Sequence, residues 1–242
     1  MTVPRFYHSG ELIPGREIIL EAAAAHHATR VLRLKPGDAM VLFNGQGGEY
    51  PVRINGIVKT HVTVLTGEWQ NIERESPLQI LLAQAISSAD KMDLTVQKAV
   101  ELGVGAIYPI ATQRSVTRLS GERALKRVEH WRKVAIHACE QCGRNRIPQI
   151  GEMTPLEDFL GKAKTDALRL MLSPDGGTPL KRLKPQPTVV LLVGAEGGFT
   201  AEEEQRSRAS GFEPVALGRR ILRTETAGIA ALAAMQTLWG DF

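Results

Sequence analysis

Two stretches near the C-terminus hold the residue types that could do chemistry. The first, Val189-Val190-Leu191-Leu192-Val193-Gly194-Ala195-Glu196-Gly197-Gly198-Phe199-Thr200, reads as a buried strand, a glycine turn and a helix start. Glycines at such a junction let a ligand approach the backbone closely. The spacing Gly194-x-x-Gly197-Gly198 is not the dinucleotide pattern G-x-G-x-x-G, and it lacks the Gly-Lys-Ser/Thr of a P-loop. Glu196 inside the turn would repel a phosphate and suit ribose hydroxyls or a cation. S-adenosylmethionine carries both, as a ribose and as a sulfonium with an ammonium. A plain strand-to-helix turn, with Glu196 facing the following helix, fits the same residues.

The second stretch is Leu217-Gly218-Arg219-Arg220-Ile221-Leu222-Arg223-Thr224-Glu225-Thr226-Ala227. Apolar Ile221 and Leu222 among three arginines could sandwich an adenine while an arginine grips an anionic or carbonyl partner. Thr224 or Thr226 is a candidate cap for the next helix, and Glu225 suits its first turn. A solvated arginine rim and a purely structural glutamate are the alternatives.

His137, Cys139 and Cys142 invite a zinc reading, but at 3.6 residues per turn positions two apart point roughly 200° away from each other. The pair Cys139-x-x-Cys142 closes a helix, whereas a redox pair opens one. No metal is expected. No Ser/His/Asp set has readable spacing, and two thiols in 242 residues are no disulfide framework.

These residues must be positioned by two kinds of chain. Over the first seventy residues short strand-like runs recur at 17–20, 39–43, 49–57 and 61–68, divided by glycine turns, with a helix over 21–34. That pattern suggests a small barrel. The polar stretch 70–77 ends in Pro77 and marks a boundary. Strands and helices then alternate: strands at 78–85, 106–110, 168–172, 189–193 and 213–217, helices at 90–102, 122–142, 200–210 and 225–239. Ser173-Pro174-Asp175-Gly176-Gly177 stops the third of those strands. The order implies a mostly parallel sheet covered on both faces. Thr200 with Glu203 fits a capping box. The last helix, with Ala227 and Ile229 to Met235, has almost no polar face, so it is buried in its own core or against a second copy.

The net charge of +4, with 43% hydrophobic and 23% charged residues, is that of a soluble globular protein with a mild preference for anions. Basic patches at Arg30, Arg33 and Lys35, at Arg114 and Arg118, at 126–133, at Arg144 and Arg146, and at Arg219, Arg220 and Arg223 suit a folded RNA. No apolar run is long enough to span a bilayer, and the first residues lack a secretory h-region, so a cytoplasmic location is expected.

The two C-terminal stretches together closely resemble the bacterial 16S ribosomal RNA uracil-N3 methyltransferases of the RsmE type, in the SPOUT class. The resemblance covers nearly the whole chain. Arg5-Phe6-Tyr7 and residues 27–38 resemble the family's PUA-like barrel. Asp90-Lys91-Met92-Asp93 with residues 97–103 resembles its first catalytic-domain helix, and Glu140-Gln141-Cys142-Gly143-Arg144 resembles its Glu-Gln-x-x-Arg segment. Ala195 stands where the family usually has proline, which removes turn rigidity but no chemical group.

The resemblance implies a PUA-like RNA-binding β-barrel over 1–72 and a trefoil-knotted, parallel-sheet α/β methyltransferase domain over 73–242. It implies S-adenosylmethionine held by Leu172, Gly194, Glu196, Gly197, Leu217, Gly218, Ile221, Leu222, Thr226 and Ala227. It also implies a homodimer through the last helix. The expected partner is 16S rRNA or the small ribosomal subunit, gripped by Arg5, Arg30, Arg33, Lys35, Lys91, Arg144 and Arg220. Loss of the uracil N3 proton makes a nucleophile whose charge spreads onto the flanking carbonyl oxygens, and a cation there favours it. Arg223, with Arg144 second, is the expected donor. A related RNA methyltransferase with another target, or an RNA-binding assembly factor without catalysis, would carry much of the same sequence. A nucleotide hydrolase is disfavoured by Glu196 and the missing P-loop lysine.

Overall fold

The computed structural model describes residues 3–115, 120–162, 166–174 and 176–242; Arg118 and Asp175 lie outside them. The chain forms two compact units, Met1–Glu75 with Cys139–Ile147, and Ser76–Ala138 with Pro148–Phe242. The break after Glu75 falls inside the polar stretch that marks a boundary in the sequence. The membership of 139–147 in the first unit departs from the expected single division at residue 72.

In the first unit, β1 (Arg5–Tyr7), β2 (Glu17–Ile19), β3 (Ala39–Phe43), β4 (Tyr50–Val58) and β5 (His61–Thr66) form one sheet in the order β1-β3-β4-β5-β2. β1 is parallel to β3 and the other pairs are antiparallel. Alternate residues Met40 and Leu42, Val52 and Ile54, and Val62 and Val64 turn inward onto Phe6, Leu20, Ala25 and Ala28, the period-two pattern of a sheet with one packed face. The helix expected over 21–34 is shorter. α1 (Ala22–His26) runs into a π-helical turn over His27–Val31, and Arg33 takes a left-handed φ of 56°. That conformation, and the bias of Lys35 away from the helical region before Pro36, end it early.

The second unit is mixed α/β. Among the described residues its strands are β6 (Gln79–Ala85), β7 (Val104–Ala111), β8 (Gln149–Ile150), β9 (Thr154–Pro155), β10 (Leu168–Leu172), β11 (Thr178–Pro179), β12 (Thr188–Val193) and β13 (Glu213–Ala216). They run in the order β11-β13-β10-β12-β6-β7-β8, with β9 also on β7, and every pairing is parallel. The helices are α2 (Ala89–Glu101), α3 (Gly121–Cys142, of which 121–138 belong to this unit), α4 (Leu156–Lys162), α5 (Ala201–Ala209) and α6 (Thr224–Trp239). Ala83, Ala85, Ile110, Met171, Val190 and Leu192 pack with Leu156 and Leu160 of α4 and with Phe199 and Phe212, while α6 packs on β6, β12 and α2. Covered on both faces, the strands read as unbroken apolar runs, and Val189–Val193 is buried throughout.

α6 buries one line, Gly228, Ala231, Leu232, Met235 and Gln236. The Gln236 side chain donates to the Leu102 carbonyl at 2.9 Å and accepts from the Ser76 hydroxyl at 2.7 Å, fixing the helix end. Ile229, Ala230, Ala233 and Ala234 are only half-buried and Leu238 is exposed, so the helix is not sunk in its own core.

Candidate active site

β13, β10 and β12 lie side by side and parallel, so their carboxyl ends open along one edge. In parallel sheets ligands bind at that edge. The loops after the three strands enclose a cavity of about 480 Å³, a size typical of small-molecule sites. Of the residues expected to hold the donor, Leu172, Gly194, Glu196, Gly197, Leu217, Gly218, Ile221, Leu222 and Ala227 line it, and so do Arg223, Arg220 and Lys91. Thr226 does not; it is exposed one residue before the wall.

The glycine turn is tight. The Gly198 amide donates to the Ala195 carbonyl at 2.9 Å, with Gly198 at φ 68°. A β-carbon on Gly194 would stand 3.2 Å from Gly198 Cα and from Phe199 Cε2. One on Gly197 would stand 3.1 Å from Arg114 Cδ. Arg114 lies over this loop, its Nη1 donating to the carbonyls of Gly197 at 2.6 Å and Phe199 at 3.1 Å. The sequence marks Arg114 only as part of a basic patch, since its partners lie over eighty residues away. The capping box at α5 forms as the sequence indicates, Thr200 Oγ1 accepting from the Glu203 amide. Glu203 also accepts from the Gln113 amide at 2.8 Å, joining α5 to the loop after β7.

Neither Thr224 nor Thr226 caps α6. Its N-cap is Arg223, without a side-chain cap bond. The Thr224 hydroxyl instead donates to the Gly194 carbonyl at 2.5 Å and accepts from Gln84 Nε2 at 2.9 Å. Glu225 turns toward Lys91, whose Nζ stands 2.8 Å from Glu196 and 3.9 Å from Glu225. Burial pushes the Glu196 carboxyl up, but the hydrogen bond and charge of Lys91, with backbone donors at Glu196 and Ser88, hold it below the usual carboxylate range. An ionised Glu196 on a wall with apolar Leu172, Val193, Leu217 and Leu222 fits a ligand that joins ribose hydroxyls and a cation to an aromatic base. S-adenosylmethionine is such a ligand.

Two expected site residues are internal to the first unit. Arg144 is buried at 4% exposure, and its Nε and Nη2 hold Glu75 at 3.0 and 2.5 Å. Arg5 bonds Glu49 and the Asn145 side chain, both at 2.5 Å, with its guanidinium 5.2 Å from the Phe43 ring. A buried cation needs a fixed counter-charge, and these arginines have theirs in Glu75 and Glu49. Glu140 likewise accepts from the Tyr7 amide at 2.9 Å. Arg30, Arg33 and Lys35 are exposed. Cys139 is buried, burial pushing its thiol up to about 12. Among the described residues no His, Cys, Asp and Glu cluster could hold a metal, and no helix is long and apolar enough to cross a membrane.

The sheet edge, its glycine loops and the carboxylate-bearing cavity fit a nucleoside-containing ligand. An RNA methyltransferase domain matches residues 74–236, and an RNA methyltransferase PUA domain matches 20–66. The chain is 34% identical over 241 residues to ribosomal RNA small subunit methyltransferase E of Buchnera aphidicola, covering 99% of this chain and 95% of that one. A methyltransferase from Legionella pneumophila, solved with its cofactor SAM, superposes with a TM-score of 0.96 at 39% identity over 100% of both chains. The small subunit methyltransferase E of Neisseria gonorrhoeae, bound to S-adenosylmethionine, does so at 0.93 and 40%, again over 100% of both. The class is therefore RNA methyltransferase. The chain belongs to the ribosomal RNA small subunit methyltransferase E family.

Proposed function

We propose that the protein transfers a methyl group from S-adenosylmethionine to N3 of a specific uridine in 16S rRNA. The observation that carries this reading is the convergence of three strand-end loops on one cavity, with the Glu196 carboxylate on its wall. The two SAM-bound relatives support the donor. The small-subunit relatives support the RNA.

Leu172, Leu217, Leu222 and the glycine turn would hold the donor, with Glu196 on its hydroxyls or cationic part. When bound, the donor supplies an electrophilic methyl on a sulfonium. The uridine must offer its Watson–Crick edge, unpaired or flipped. Arg223 is exposed at the cavity wall, its carbonyl accepting from the Ala227 amide at 2.7 Å. There it favours the N3 anion through the flanking carbonyl oxygens. Lys91 and Arg220 line the same mouth, and Arg30, Arg33 and Lys35 grip rRNA phosphates.

The finer architecture belongs to the same proposal. Residues 1–72 act as a PUA-like barrel, which the five-stranded sheet and the 20–66 match support. Residues 73–242 act as a trefoil-knotted SPOUT domain, which the 74–236 match supports. A homodimer through α6 is supported by its half-buried apolar face and exposed Leu238. An rRNA substrate implies a cytoplasmic location.

The test is mass mapping of modified nucleosides in 16S rRNA from cells with and without the gene, with calorimetry of S-adenosylmethionine binding. The expected result is one 3-methyluridine lost on deletion and one donor site per chain. An unchanged 3-methyluridine content refutes the assignment.

A further inference from the structure

Ile221 is 83% exposed. Single exposed apolar residues are ordinary on a protein surface, but this one has an unusual setting. It sits midway in the loop 217–223, whose other members, Arg219 apart, line the donor cavity, and it is flanked by exposed Arg219, Arg220 and Arg223. The loop is anchored at both ends. It leaves β13 at Ala216, and it enters α6 at Thr224, which is bonded to Gly194 and Gln84. A β-branched side chain is stiff at χ1, so Ile221 stands as a short, conformationally restricted apolar projection at the cavity mouth. Ile221 itself borders the donor cavity, with most of its side chain open to solvent.

We infer that Ile221 is an apolar wedge that enters the stack beside the target nucleotide and helps hold that base out. This rests on the proposed methylation of a base in RNA. Apolar wedges between base steps unstack nucleic acid, and enzymes acting on a ring atom need the base out of its stack. Arg219 and Arg220, beside it in the loop, are complementary to the phosphates on either side of such a step. Ile221 is thus a positioning residue on the RNA side of the pocket, and the cofactor is held by the residues behind it.

The experiment compares wild type, Ile221→Ala and Ile221→Leu in the full chain. It measures methylation of 16S rRNA at saturating S-adenosylmethionine and calorimetric donor affinity. It also follows the fluorescence of a 16S rRNA fragment with 2-aminopurine beside the target uridine. With so exposed a side chain, folding is not at stake. The alanine variant should lose about tenfold or more in kcat/KM for RNA and lose the 2-aminopurine rise, with donor Kd within about twofold; leucine should restore both. A donor Kd that weakens in step with the rate would make Ile221 a cofactor lid and overturn the wedge. So would an alanine variant with full rate and full fluorescence rise. Wild-type protein that methylates no RNA would remove the proposed function itself, and the wedge with it.

Discussion

Thr224 donates its hydroxyl to the carbonyl of Gly194 at 2.5 Å, across thirty residues of sequence. The same oxygen accepts from Gln84 Nε2, so the end of β6, the glycine turn after β12 and the start of α6 share one buried connection. Two of the three loops that close the cavity, those after β12 and β13, are thereby joined through one hydroxyl.

Thr224→Val removes that hydroxyl and leaves the Gly194 carbonyl and one proton of Gln84 unpaired. The expected loss is about 1–3 kcal/mol of stability, read by urea denaturation, together with weaker S-adenosylmethionine binding. Thr224→Ser keeps the hydroxyl and should stay within about 1 kcal/mol of wild type. Equal losses in the two variants would mean that packing, and not the hydrogen bond, matters.

Arg223→Ala should lower kcat for rRNA methylation by about a hundredfold to a thousandfold, the scale for removing one donor to a developing anion. Calorimetric donor affinity should change little, because the partner proposed for Arg223 is the uracil and not the donor. Near-normal turnover would dismiss the role given to it.

Gly194→Ala and Gly161→Ala separate close packing from glycine's general flexibility. A β-carbon at 194 meets the Gly198 backbone at 3.2 Å, whereas at 161, on α4, it meets nothing within 4 Å. The first should cost about 1–3 kcal/mol and reduce donor binding. The second should be neutral or stabilise by up to about 1 kcal/mol. Thermal melting and calorimetry read both, and a Gly194→Ala variant with wild-type binding would contradict the close-approach argument.

The legible parts of this molecule are the local ones. Val189–Val193 reads as a buried strand because both its faces are covered, and the Thr200–Glu203 box lies within one helical turn. What escapes the sequence is set by partners far along the chain. Arg5 and Arg144 look like surface cations until Glu49 and Glu75 are found beside them, 44 and 69 residues away. The Thr224 hydroxyl looks like a cap for the same reason. β8, β9 and β11 are two residues each, too short for any periodicity to register. The glycine turn and the arginine loop show separately in the sequence. Only the strand order β13-β10-β12 makes them one cavity.

Removing positive charge at Arg30, Arg33 and Lys35 should weaken rRNA binding and flatten its salt dependence. The slope of log K against log salt should fall by about one for each phosphate that no longer has a cation beside it. Affinity measured from low to moderate salt gives the slope. A triple-alanine variant with the wild-type slope would exclude this patch from the interface.

Glu49 makes the stability of the first unit depend on acid. Burial pushes its carboxyl up, but hydrogen bonds from Arg5 and Asn145 and the charges of Arg5 and Arg74 reverse this and hold it below the ordinary 4.5. A carboxyl depressed on folding favours the folded state fully above its unfolded pKa, and that contribution is lost as pH falls through the folded value. Wild-type stability should therefore hold down to the ordinary carboxylate range and drop beneath it. Glu49→Gln leaves Arg5 buried without its counter-ion, which should cost about 3–5 kcal/mol near neutral pH. Because protonation removes the same charge from wild type, the gap between the two proteins should narrow in acid. Denaturation at pH 7 and at stepwise lower pH measures it, and a gap constant down through that range would show that the Glu49 charge does not hold Arg5 in place.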